Sequence, residues 1–123
     1  MLGQCSLGAS ASEKAEAGRI NHAIEQLRAA PNPEKGERLD ALKAVACETA
    51  ELCELQRVCV DGYGQHVFAL AEVDRAKALM ATQNRLPEAG QIVEAARSEL
   101  AEAAPKISHC ADAQGAVQRK YKL

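Results

Sequence analysis

Apolar side chains recur along this chain at the three- and four-residue spacing that lines one face of an α-helix. The first such stripe follows Ser10 and Glu13, whose S-x-x-E spacing is typical of a capping box at a helix N-terminus. Its members are Ile20, Ala23, Ile24 and Leu27. We therefore predict a first helix that is capped by Ser10, or alternatively by Ser12, and that ends before Pro31.

A second stripe follows Asn32, a favourable N-cap residue placed ahead of Pro33 and an acidic residue. The stripe recurs at spacings of three, four and seven residues, at Leu39, Leu42, Val45, Leu52, Leu55 and Cys59. The segment Asp61-Gly62-Tyr63-Gly64 then provides a plausible stop. The pattern predicts one long second helix between these limits.

Two further stripes complete the pattern. A third helix is predicted from about Gln65 to Gln83, and the next break falls at residues 84–87. The fourth stripe is heptad-like, at Val93, Ala96, Leu100, Ala103 and Ile107. Because Pro105 lies inside it, we expect a kink or a fresh helix start there. The pattern fades after Gly115.

The sequence thus predicts an all-α fold, an antiparallel up-down bundle of about four helices, since short breaks between amphipathic helices favour antiparallel neighbours. A three-helix bundle remains an alternative, as does a long helical hairpin if the break at Gly62 and Gly64 is bridged. The chain of 123 residues suits one domain. We expect a flexible lead at 1–11, a helical domain at 12–118 and a basic, solvated tail at 119–123.

Composition narrows the function classes. The chain is 47% hydrophobic and 26% charged, with a formal charge of -2, so no long-range field would draw it to nucleic acid or to anionic lipid. No apolar run reaches the 18 or more residues that a membrane-spanning helix needs. We therefore expect neither a nucleic-acid partner nor a membrane span.

Five cysteines are the most informative residues: Cys5, Cys47, Cys53, Cys59 and Cys110. The CxxC pairs of zinc ribbons and of thioredoxin-like centres are missing, and the second predicted helix carries C-x5-C-x5-C instead. Six residues of an intact helix turn through about 600° and rise about 9 Å. Neighbouring cysteines of this helix could then neither share a metal nor form a disulfide, which needs Cα atoms within about 7 Å.

The predicted topology brings the end of the second helix and the end of the fourth to one pole of the bundle. We hypothesise that Cys110 pairs there with Cys59 or with Cys53. The alternative is that the cysteines are small buried thiols of a cytoplasmic protein. If Cys5 served another purpose, the other four would be an even set, available for two disulfides.

Residues 2–5, Leu-Gly-Gln-Cys, are similar to a lipobox, the site where a bacterial lipoprotein is cut and its new N-terminal Cys is acylated. Gln4 replaces the usual small residue, and only four residues precede Cys5, so this interpretation needs a start upstream of Met1. Further motifs resemble a pattern in uncharacterised helical bacterial lipoproteins: Ala46-Cys47, Leu52-Cys53-Glu54-Leu55, Cys59-Val60, and Tyr63 with His66. The resemblance implies a periplasmic or envelope location and no particular activity.

Candidate chemistry is sparse. His66 and His109 are predicted near the same pole as Cys59 and Cys110, where a mixed metal site is conceivable. Several carboxylates fall between apolar positions, as on solvated helix faces: Glu13, Glu16, Glu48, Glu51, Glu54, Glu99 and Glu102. No catalytic or phosphate-binding motif is found, so we predict no catalytic residue and no cofactor.

Three functions stay open at this point. The first is a non-enzymatic helical interaction or structural module of a bacterial envelope, with a protein partner or with itself, and with Cys5 as a possible lipid anchor. The second is a metal-binding or thiol-redox module that uses the Cys and His residues. The third is a cytoplasmic adaptor or regulator.

Overall fold

The computed structural model describes residues 10–123, and across them the chain forms four α-helices and no strand. The helices are α1 (Ala11–Ala29), α2 (Lys35–Ala44), α3 (Ala50–Gln83) and α4 (Leu86–Tyr121), with a 3-10 turn at Asn32–Glu34. The predicted all-α class is therefore confirmed. Residues 1–9, including Cys5 and most of the expected flexible lead, lie outside the described residues.

The start of α1 follows the sequence signal. The backbone N–H of Glu13 donates to Ser10 Oγ at 3.1 Å, and the backbone N–H of Ser10 donates to Glu13 Oε1 at 3.1 Å. This reciprocal pair is the predicted capping box. The helix ends at Ala29, ahead of Pro31, also as predicted.

The cap predicted at Asn32 is wrong. Asn32 lies inside the 3-10 turn, and α2 begins at Lys35 without a side-chain cap. The Lys35 ammonium instead donates to the backbone carbonyls of Leu27 and Arg28 in the last turn of α1. It thus satisfies carbonyl groups that the end of a helix leaves without partners.

The predicted break at Gly62 and Gly64 is also wrong. The chain leaves the helix after Ala44 and resumes at Ala50, and α3 then runs for 34 residues through both glycines. The long second helix of the prediction is therefore two helices, and the predicted third helix is the second half of α3. The Gln56 side chain stabilises the true break, because its amide donates to the carbonyls of Leu42 and Val45.

Cross-helix contacts give the direction of each helix. Glu16 and Arg28 of α1 contact Thr49 and Tyr63 in the same order along the chain, so α1 runs parallel to α3. The pairs Glu51 with Lys120 and Asp61 with Lys106 reverse that order, so α4 is antiparallel to α3. In α2, Gly36 lies beside Val67 and Leu42 contacts Gln56, so α2 is antiparallel to α3. The predicted up-down order is therefore observed.

All four helices meet only in one part of the molecule, which we call the body: α1, α2, residues 50–67 and residues 101–121. Its core contains large aliphatic side chains from every helix. Those buried in it include Ile20, Ile24, Leu27, Leu39, Leu42, Leu52, Leu55, Val58 and Val117.

Beyond the body, α3 and α4 continue together as a two-helix arm, residues 68–100. The buried side chains described in the arm are alanines, at Ala69, Ala76, Ala89 and Ala96. Within each helix the two alanines are seven residues apart, which is the repeat of a seam between two helices. The turn at its tip, with Asn84 in the left-handed conformation (φ 53°), lies within the predicted break.

The course of α4 narrows one expectation and corrects another. The helix passes through Pro105 without a fresh start. The segment expected to be a basic tail, 119–123, is helical through Tyr121, whose buried ring ends in a hydroxyl that donates to Glu51 at 2.8 Å. Lys120 also pairs with Glu51. The last turn is therefore fastened to the start of α3.

Candidate functional site

Two cysteine pairs lie at disulfide-bonding distance in the body. The Sγ atoms of Cys59 and Cys110 are 2.00 Å apart, with Cα atoms 4.8 Å apart and both residues fully buried. The pair joins the two long helices where antiparallel packing brings them to the same level. Of the two partners hypothesised for Cys110, the structure brings Cys59 to it and not Cys53.

The second pair corrects a prediction. The Sγ atoms of Cys47 and Cys53 are 2.13 Å apart, with Cα atoms 5.4 Å apart, although neighbouring cysteines were expected to be too distant. That argument assumed one intact helix. Cys47 instead lies in the non-helical segment before α3, where the chain turns back over Cys53. Both residues are partly exposed.

The same turn is held by Glu16, which the sequence placed on a solvated face. Glu16 is 6% exposed, and its carboxylate accepts from the backbone N–H of Glu48, from the backbone N–H of Thr49 and from Thr49 Oγ1. Burial opposes ionisation of this group. The three hydrogen bonds and the nearby Arg19 outweigh burial and lower the pKa of Glu16. A carboxylate of α1 thus binds the two residues that precede α3, at the positive end of its dipole.

The histidines and cysteines proposed for a metal site are not assembled into one. Cys59 and Cys110 face each other, and among residues 10–123 no three His, Cys, Asp or Glu side chains are grouped as metal ligands. His66 is partly buried on α3, where burial and then the positive charge of Lys35 lower its pKa. His109 is exposed and lines a shallow groove of α3 and α4 beside Arg57 and Asp61.

One line of positions, repeating every seven residues, distinguishes the body from the arm. In the body this line is covered: Leu52 and Cys59 on α3 are fully buried, and Gln114 and Tyr121 on α4 are 2% exposed. Gln114 donates to Asn21 and Glu25 of α1. On α4, this line therefore marks the side against which α1 packs.

In the arm the same line is open. Met80 is 48% exposed and Leu86 is 55% exposed, while the members closer to the body are partly buried. Together with Leu70 at the base of the arm they form an apolar row, which we call the arm face: Leu70, Val73, Met80, Leu86, Val93 and Leu100. The opposite side of the hairpin is polar at the junction, where Gln65 donates to Glu99 and Glu102, but carries the exposed Phe68.

Comparisons with known proteins add nothing to this geometry. No protein-family model, curated protein or solved structure matches the chain. The resemblance to helical bacterial lipoproteins therefore stays a prediction. Within residues 10–123, no helix carries an apolar stretch long enough to cross a bilayer.

Proposed function

We propose that this chain is a non-enzymatic interaction module of a bacterial envelope, in which the body supports the arm and the arm face binds protein. The observation that carries the proposal is the open arm face. The line of positions that is buried in the body becomes about half exposed at Met80 and Leu86 near the tip of the arm, and exposed apolar residues of this kind mark protein-binding surfaces.

The compartment is inferred from the cysteines. Disulfides persist in oxidising compartments and are rare in the cytoplasm, so two cysteine pairs at bonding distance favour the envelope. Cys5 is left over from these pairs, which fits its proposed role as a lipid anchor. The cytoplasmic adaptor remains the competing proposal, and it requires four free thiols in the pairs.

A thiol-trapping experiment separates the two compartments. Cells that produce the chain are treated with a membrane-permeant alkylating reagent before lysis, and a non-reduced digest is analysed by mass spectrometry. We expect peptides that join Cys59 to Cys110 and Cys47 to Cys53, with no alkylation at these four residues. Alkylation of all four residues in the native host would overturn the envelope assignment.

A second experiment tests the arm face. A photo-crosslinking amino acid is placed at Met80 or Val93 on the arm face, and at the matched exposed positions Ala78 or Ala95 on the other side of the arm. We expect discrete protein adducts from the arm-face positions and not from the controls. If neither arm-face position forms an adduct in the native host, the arm is not a binding surface and the proposal fails.

A further inference from the structure

We propose that the occupant of the arm face is a second copy of this chain, with the two arms packed face to face and antiparallel. The inference rests on the proposed function and deepens it by naming the partner. Four features of the arm and the body support this occupant: shape, direction, charge and area.

The shape argument begins where α1 and α2 end. Lys35 at the start of α2 binds the last turn of α1, and Gly36 lies beside Val67 of α3. The α1/α2 layer therefore stops at the base of the arm and leaves a step one helix layer deep. The arm of a second copy is also one helix layer thick. It would fill the step and rebuild the four-helix arrangement of the body along the arm.

The relative direction of the two arms follows from the same step at the end of the α1/α2 layer. A homodimer usually has two-fold symmetry, so the arm face would contact itself. If the arms were parallel, the α1/α2 layers of both copies would occupy the same space. If they are antiparallel, the bodies lie at opposite ends. Met80 and Leu86 at each tip then lie near Leu70 and Leu100 at the base of the other arm.

Charge supports the antiparallel arrangement. Lys77 and Asp74 are exposed beside the arm face, and neither forms an ion pair within residues 10–123. Lys77 lies seven residues from Asn84 at the tip, and Asp74 lies six residues from Phe68 at the base. Full overlap of two antiparallel arms therefore brings Lys77 within one helical turn of Asp74 of the second copy. Symmetry repeats the contact.

The area is sufficient for a reversible dimer. Sixteen helical residues span about 24 Å, and two helices of about 10 Å diameter give a face on the order of 500 Å². Two such faces bury on the order of 1,000 Å², close to the lower limit for specific interfaces. We therefore expect a dimer that dissociates on dilution.

Sedimentation velocity over a range of concentrations tests the inference. The full chain carries Cys5→Ser, so that no intermolecular disulfide contributes. We expect a monomer–dimer equilibrium, and we expect Met80→Glu to raise its dissociation constant at least about tenfold, because a carboxylate would be placed in an apolar contact. The matched variant Ala78→Glu, on the outer side of the same helix turn, should stay within about twofold of the parent chain.

A charge exchange provides a second test that does not depend on the apolar core. Lys77→Glu alone and Asp74→Lys alone should each weaken the dimer about two- to thirtyfold, the range of an exposed ion pair counted twice. The double variant should restore the parent dissociation constant. Circular dichroism checks each variant for helix content, and Leu86→Gln replaces Met80→Glu if the latter loses helix.

The outcomes separate this inference from the proposed function. Crosslinks from Met80 to a different protein, with a purified chain that stays monomeric, would support the arm face as a binding surface and overturn the second copy as its occupant. A dimer that is indifferent to both Met80→Glu and Leu86→Gln would also overturn it. Absence of both crosslinks and dimer would overturn both proposals.

Discussion

The body and the arm are built on the same two helices, yet they bury different side chains. In the body, α3 and α4 bury Leu52, Leu55 and Val117 in a core that α1 and α2 share. In the arm, they bury alanines and leave Met80 and Leu86 about half exposed. The positions repeat without interruption from one region to the other. What changes is the number of helices that surround them, and this number decides whether an apolar position becomes core or surface.

The body and the arm contribute unequally to the stability of the fold. A fully buried Leu or Ile side chain contributes about 1.5–3 kcal/mol, and an alanine methyl group far less. The body therefore carries most of the stabilisation, and the arm depends on the continuity of α3 and α4 with the body. Such a division suits an interaction module, because the body provides a stable support from which the exposed arm projects.

The largest expected effect comes from the cysteine pair inside the body. Replacing both Cys59 and Cys110 by Ala removes a link between residues 51 apart, and chain entropy predicts a loss of about 4 kcal/mol in the free energy of unfolding. Cys47 and Cys53 are only 6 residues apart, so replacing both by Ala should lower the free energy of unfolding by about 2 kcal/mol. Urea unfolding followed by circular dichroism measures both.

Hydrogen exchange on the same variants shows whether the arm depends on the body. Amides of the arm should lose protection in the Cys59→Ala/Cys110→Ala variant, although no arm residue was changed. If the arm kept its protection while the body lost it, the arm would be an independent unit and the comparison would fail.

Glu16 provides the next effect, and it is specific to the body. Its pKa is lowered in the fold, so its ionised form stabilises the fold above about pH 4.5, the ordinary carboxyl value, and this contribution is lost as the pH falls through the lowered value. Glu16→Gln should therefore reduce the free energy of unfolding by about 1.5–3 kcal/mol at neutral pH. The difference from the parent chain should shrink as the solution is acidified below pH 4.5.

The arm offers a matched control for that variant. Glu94 is exposed and pairs with the exposed Arg97, so Glu94→Gln should change stability by no more than about 0.5 kcal/mol. Urea unfolding between pH 3 and 7 compares the two variants. A Glu16→Gln deficit that stayed constant across this range would show that shape, and not ionisation, explains the role of Glu16.

Local signals allowed much of the fold to be predicted. The capping box of α1 and the stripe of α4 depend on residues a few positions apart, so the sequence contains all the information needed. The break before α3 has no Gly or Pro and is stabilised by Glu16 and Gln56 from distant positions. Such a break arises from tertiary contacts, which a pass along the chain does not reveal.

The candidate site was predictable to a different degree. The pairing of Cys110 with Cys59 depends only on the height of each residue along the axis of an antiparallel bundle. It could therefore be predicted as one of two alternatives, although the predicted helix ends were wrong. The pairing of Cys47 with Cys53 was hidden by the missed break. Val93 and Leu100 of the arm face belong to the predicted fourth stripe, but the false stop at Gly62 concealed that α3 extends beyond α1 and α2.

The smallest effects concern the two glycines at that false stop, which lie in the body a few residues before the arm begins. A Cβ at Gly62 would lie 3.0 Å from the carbonyl carbon and 3.1 Å from the Cβ of Lys106 on α4, and helix backbone cannot yield as a flexible side chain can. A Cβ at Gly64 would meet nothing within 4 Å. We therefore expect Gly62→Ala to destabilise the chain by about 1–2 kcal/mol through overpacking.

Gly64→Ala, two residues along the same helix, should stabilise the chain by about 0.5–1 kcal/mol, because Ala loses less backbone freedom than Gly when the helix forms. Thermal unfolding of the two variants under identical conditions measures the opposite signs. If both substitutions stabilised α3, close approach to α4 would not be what requires glycine at residue 62.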